Sequence, residues 1–138
     1  PKDKRALPDV RVYSQACPLL VPLIEEGMEN HPVTRTLLKN YLRPLKNASV
    51  DTLILGCTHY PLLQTDIQRI MGRRVQVISS AAAATEALGP YFERHPELRQ
   101  ALSTGGTRRY STTDSPERFS DLGSRFLGQK IQGEKIAI

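Results

Sequence analysis

Cysteine is scarce in this chain of 138 residues, and the two present, Cys17 and Cys57, stand forty positions apart with no paired spacing. That argues against a disulfide scaffold and against a structural zinc site, since both need closely paired ligating residues, so no metal is expected. No apolar stretch approaches the ~20 residues that cross a bilayer, and no basic, apolar, small-residue leader is present. A reducing compartment, no membrane association and a cytoplasmic location are therefore expected. There is no glycine loop with its lysine to cradle a phosphate, no internal repeat and no low-complexity tract. The formal net charge is +5, but the basic residues are spread along the chain with acidic residues between them. No basic run is interleaved with aromatics, so nucleic acid is not an expected partner, whereas a small anionic substrate would profit from the positive field.

What is there centres on Thr52-Leu53-Ile54-Leu55-Gly56-Cys57-Thr58-His59-Tyr60-Pro61-Leu62-Leu63. An apolar run rich in branched side chains ends at a glycine, then presents a thiol, a hydroxyl and an imidazole, then a proline that can open a helix. This reads as strand, reactive turn, helix. In open α/β sheets ligands bind at the carboxyl ends of the strands, where such turns lie. A thiol works as the thiolate, which a helix N-terminus and a neighbouring histidine both favour. His59 lies two residues on, so in an extended turn its ring falls on the same side as Cys57. On the residues alone, Cys57 is equally readable as a buried small hydrophobe and His59 as a satisfied polar residue.

Around this stretch the chain alternates between strand and helix patterns. Pro1 to Pro8 is a polar lead-in, and Val10-Arg11-Val12-Tyr13 alternates as a short strand does. Leu19 to Ile24 is apolar and interrupted by Pro22. From Val33 to Lys46 the apolar residues Val33, Leu37, Leu38, Tyr41, Leu42 and Leu45 recur at helical spacing. Asn47-Ala48-Ser49 is the loop into the strand before Cys57, which makes a β-α-β unit with the Val10 strand. Asp66 to Met71 is helical and Gly72 ends it. Val75 to Ile78 reads as a strand, with Ser79 or Ser80 capping a helix from Ala81 to about Phe92. Pro96 to Gly106 is a loop with room for one helical turn. Arg108 to Thr113 is a strand, Ser115-Pro116-Glu117 starts a helix bearing Phe119, Leu122, Phe126 and Leu127, and Ile131 to Ile138 is an edge strand. The fold class is α/β, with parallel sheets and helices on both faces.

Gly56-Cys57-Thr58-His59-Tyr60-Pro61-Leu62-Leu63 closely resembles the second cysteine motif of glutamate racemases, in the aspartate/glutamate racemase family. Asp51 to Leu55, the upstream Ala16-Cys17-Pro18-Leu19-Leu20-Val21-Pro22-Leu23-Ile24-Glu25-Glu26-Gly27, and the segments Val77 to Ser80 and Phe126 to Gly128 also resemble that family, in the same order. The likeness covers essentially the whole chain, but nothing in it matches the family's N-terminal half, which carries a first catalytic cysteine beside an aspartate and an Asn-Thr pair.

The resemblance implies cofactor-independent interconversion of L- and D-glutamate by two cysteines on opposite faces of the substrate, with D-glutamate supplying peptidoglycan. It implies a two-lobed fold in which residues 1–72 belong to the second lobe and 73–138 complete the first. Cys57 is then a catalytic acid and base, His59 assists its proton exchange, and Thr58 binds a substrate carboxylate. Glu25 is the site carboxylate, with Glu26 in its place if the register differs by one. Glutamate, the N-terminal half with the other cysteine and a second copy of the chain in a homo-oligomer are the expected partners. Cys17 resembles a noncatalytic Ala-Cys-Pro turn. Two other readings stand beside this one: a Cys57/His59 nucleophile-base pair for acyl transfer, and an inactive fragment or interaction module.

Overall fold

A computed structural model describes residues 9–137 of the chain. The expectations for Pro1 to Pro8 and for Ile138 fall outside the described residues. The chain divides into two compact units, Pro1–Ala81 and Ala82–Ile138.

In the first unit α1 spans Leu20–Glu25 and α2 spans Pro32–Asn47. Pro22 sits inside the first helical turn of α1, where its missing N–H leaves no bond broken, so the helix forms despite it. His31 caps α2 with Nδ1 accepting from the Val33 N–H at 3.2 Å, and Pro32 occupies the first helical position. Thr34, fully buried, donates to the Met28 carbonyl at 2.6 Å and so fixes the turn between the helices. Leu38, Leu42 and Leu45 form the buried stripe of α2, as the periodicity predicts. The left-handed Ser49, at φ 53°, then turns the chain into β1, Thr52–Leu55.

After β1 a 3₁₀ turn, Tyr60–Leu63, leads directly into α3, Gln64–Met71, which Gly72 ends at φ 89°. β2, Gln76–Ser79, returns parallel to β1 with Leu53 opposite Val77 and Leu55 opposite Ser79. The core of this unit is Leu20, Ile24, Leu38, Leu42, Leu45, Leu55, Leu63, Ile67, Met71, Val75 and Val77, all buried. Arg35 and Arg69 meet Asp66, which is mostly buried, and Lys46 donates to the Ile70 carbonyl, so α2 and α3 are tied by polar contacts as well as by packing.

The observed β-α-β unit is thus β1–α3–β2, and the expected strand at Val10 to Tyr13 is absent. Those residues have no ladder partner among the described residues and leave Val10, Val12 and Tyr13 largely exposed. Alternation marks a strand only where a neighbour accepts its backbone bonds, and here none does. Ser80 opens α4, Ser80–Arg94, and its hydroxyl donates to the Leu55 carbonyl at 3.4 Å, a link to β1 that the capping expectation did not contain.

In the second unit α4 continues, α5 spans Pro96–Ala101, β3 Tyr110–Thr112, α6 Pro116–Leu127 and β4 Gly133–Lys135. β3 and β4 pair in parallel, with Ser111 opposite Glu134, and α6 forms the crossover between them. Ser115 caps α6 by accepting from the Arg118 N–H at 3.2 Å, and Gly128, left-handed at φ 64°, ends it. A side chain at Gly133 would meet Phe119 Cδ1 at 2.7 Å, so the glycine lets α6 lie close on β4. Both sheets are parallel with helical crossovers, the α/β class the sequence predicts.

Candidate active site

β1 delivers its carboxyl end to Gly56 and Cys57, as the strand-turn-helix pattern predicts. A side chain built at Gly56 would meet no atom within 4 Å, so the space beside the turn is open on the protein's side. Tyr60 N–H donates to the Cys57 carbonyl at 3.3 Å, and Leu62 N–H to the His59 carbonyl at 3.1 Å, which curl Cys57 to His59 into a tight turn. In that turn the Cys57 Sγ lies 4.0 Å from His59 Nδ1. The Thr58 hydroxyl lies 3.4 Å from the same nitrogen, so thiol and hydroxyl both approach one ring nitrogen.

The other ring nitrogen turns to α1. His59 Nε2 is 3.4 Å from Glu25 Oε1, and the two side chains keep only 25% and 29% of their surface exposed. Glu25 is the last residue of α1, placed there because Leu20 and Ile24 bury the inner face of the helix and leave the next position at the margin. Glu26 is exposed and caps the helix. A carboxylate facing Nε2 favours the tautomer with its proton on Nε2, which leaves the Nδ1 lone pair toward Cys57. The chain Glu25–His59–Cys57 is therefore carboxylate, imidazole, thiol in sequence, an arrangement able to move a proton to and from sulfur. Of the residues singled out in the sequence, Cys57, His59, Glu25 and Thr58 come together.

Cys17 stands apart from that relay. Its Sγ donates to the Gln15 carbonyl at 3.6 Å, and burial pushes the thiol up, opposed in part by the Tyr60 hydroxyl. A raised thiol is a poor source of thiolate. Cys17 and Tyr60 line a cavity of about 320 Å³, with Tyr13, Tyr41, Leu20 and the β1 residues Leu53 to Leu55 among its walls. Cys57, His59 and Glu25 do not line it, so the relay lies outside this cavity. Tyr60 was legible only as part of the motif. Its hydroxyl partner, the Cys17 carbonyl at 3.3 Å, is far along the chain, and no local signal announces it. Among the described residues no group of three or more His, Cys, Asp or Glu side chains is disposed to hold a metal ion, and no described helix is long and apolar enough to cross a membrane.

A model of the Asp/Glu/hydantoin racemase family matches residues 3–88. The glutamate racemase of Syntrophus aciditrophicus is 43% identical over 129 residues, which cover 94% of this chain and 47% of that protein. The one from Geobacter metallireducens is 41% identical, covering 93% of this chain and 47% of that protein. Among solved structures, glutamate racemase isoform RacE1 of Bacillus anthracis superposes with a TM-score of 0.85 at 32% identity, covering 98% of this chain and 50% of that one. The Francisella tularensis glutamate racemase in complex with D-glutamate gives 0.79 at 29% identity, covering 99% and 51%. The chain spans about half the length of the curated relatives it matches.

Proposed function

The chain belongs to the Asp/Glu/hydantoin racemase family, and from that premise we propose that it supplies one catalytic face of a glutamate racemase. The single observation that carries the reading is the Glu25–His59–Cys57 relay at the carboxyl end of β1. The Cys57 thiolate takes the α-proton of one glutamate enantiomer, and the bond's electron pair stays on the α-carbon as a carbanion. A thiol on the opposite face, carried by the half of the relatives' length that this chain does not span, returns a proton and becomes the thiolate. In the other direction the roles exchange. His59 moves the proton between Cys57 and solvent through Nδ1, and Glu25 holds the ring at Nε2.

A carbanion beside a carboxylate is hard to form, so fixed donors to the substrate carboxylates must do much of the work. Thr58, exposed beside the thiol, is assigned to one carboxylate. No cofactor takes part in this scheme. Residues 1–72 are assigned to one lobe of the whole enzyme and 73–138 to the completion of the other, although the compact division within this chain falls between Ala81 and Ala82. The assembled enzyme is assigned to the cytoplasm as a homo-oligomer, making D-glutamate for peptidoglycan.

The test is the α-proton itself. Incubated in D2O with L-glutamate, the racemase containing this chain should introduce deuterium at the α-carbon of the product D-glutamate. Cys57→Ser should lower that rate by roughly 10² to 10⁴-fold, and Cys17→Ser should leave it within a few-fold. Acyl transfer from an ester to Cys57 with no α-exchange would replace this reading with the nucleophile-base one, and loss with Cys17→Ser as complete as with Cys57→Ser would overturn the assignment of the two thiols.

A further inference from the structure

The relay depends on a six-residue helix. α1 is about 9 Å long at the usual rise of 1.5 Å per residue, and it carries Glu25 at its end. Such a helix has little stability of its own, so it is placed by the burial of Leu20 and Ile24 and by what holds its two ends. The end at Glu25 meets His59 at 3.4 Å. At the start the Cys17 carbonyl accepts the Leu20 N–H at 3.1 Å, which closes the turn leading into the helix, and also accepts the Tyr60 hydroxyl at 3.3 Å. The residues that hold the two ends, His59 and Tyr60, are neighbours in the turn that presents Cys57. Tyr60 is itself fixed to that turn by its N–H bond to the Cys57 carbonyl at 3.3 Å.

We propose that Tyr60 is a positioning residue for Glu25: by pinning the start of α1 to the Cys57 turn, its hydroxyl sets where the carboxylate at the other end meets His59. The proposal rests on the reading of Glu25–His59–Cys57 as a proton relay, and Tyr60 itself touches no reacting atom. Its phenol suits the task. Burial, then the neighbouring Cys17 and Cys57 thiols and the Tyr41 phenol, push it above the ordinary tyrosine range, so the donor proton is retained well past neutral pH. The bond accepts at a backbone carbonyl, which a change of the Cys17 side chain leaves in place.

The experiment reads the rate of Cys57 alkylation by iodoacetamide in the 138-residue chain. Cys17→Ser serves as the background, leaving one thiol while retaining the carbonyl that Tyr60 binds. Glu25→Gln should slow alkylation by about two- to fivefold, the range of a partly exposed ion pair. Tyr60→Phe should slow it by the same factor, and the double variant should be no slower than either single one. Slowing by Glu25→Gln with none by Tyr60→Phe overturns the proposal and leaves the relay standing. Additive losses overturn it as well, because Tyr60 would then act on the thiol independently of Glu25. No effect of Glu25→Gln removes the relay reading and the proposal with it. Where Tyr60→Phe does not reach the parent circular dichroism spectrum, 3,5-difluorotyrosine at position 60 keeps the ring and gives up its donor proton at lower pH. The alkylation rate relative to the parent should then fall as that phenol ionises, and the fall should vanish in the Glu25→Gln background. A ratio constant with pH, or a fall that persists without Glu25, overturns the proposal.

Discussion

The two compact units are built to different degrees of completeness. Up to Ala81, three helices and a parallel strand pair bury a continuous set of leucines, isoleucines, valines and a methionine, with Leu20, Ile24 and Leu38 almost wholly removed from water. From Ala82 onward Ile131 alone among the described apolar residues is buried, and the fifteen-residue α4 buries none of its own. Leu88, Tyr91, Leu98, Leu102 and Leu127 are exposed there. The first unit exposes as many large apolar residues, Val10, Val12, Leu19 and Ile54 among them, so the units differ in what they bury and not in what they expose. Among the described residues the first unit thus holds nearly all of the buried apolar core, in a chain that spans about half the length of its relatives.

Core substitutions sharpen this contrast. Ile24→Ala empties a fully buried position behind Glu25 and should cost about 2–5 kcal/mol in urea unfolding of the first unit. In the second unit a smaller loss is expected at a helix cap. Ser115→Ala removes the oxygen that accepts the Arg118 N–H and should cost about 1 kcal/mol. Leu88→Ala, on the exposed face of α4, should stay within about 0.5 kcal/mol in the isolated chain. A loss at Leu88 comparable to that at Ile24 would break the comparison, since it would show that α4 is already covered. Amide exchange gives the same contrast without mutation. The β1 and β2 amides should exchange more slowly than those of α4, and equal protection would again count against it.

How much of this was legible in the sequence depends on the range of the interaction. The Ser115-Pro116 start of α6, the leucine stripe of α2 and the Gly72 stop of α3 are local, and each is found where its residues predict. The Val10 to Tyr13 strand failed because pairing is not local: alternating side chains cannot supply the missing neighbour. At the site, Cys57 and His59 do meet, but through a tight turn and not the extended one that the two-residue spacing predicts. Nothing in periodicity brings Glu25 to His59, and only the resemblance named it. The Tyr60 hydroxyl bond to Cys17 was invisible for the same reason, since both ends look ordinary until the fold joins them.

The central claim is that this chain holds one of two catalytic faces. It is tested by mixing the purified chain with the separately made complementary half of the Syntrophus aciditrophicus glutamate racemase and following L-glutamate conversion by optical rotation. A base on one face can exchange the α-proton but cannot readily return it to the other, so the account predicts no racemisation by the chain alone. It predicts racemisation on mixing, abolished by Cys57→Ser in this chain. Turnover of L-glutamate by the chain of confirmed mass, with no second polypeptide present and lost in Cys57→Ala, would contradict it.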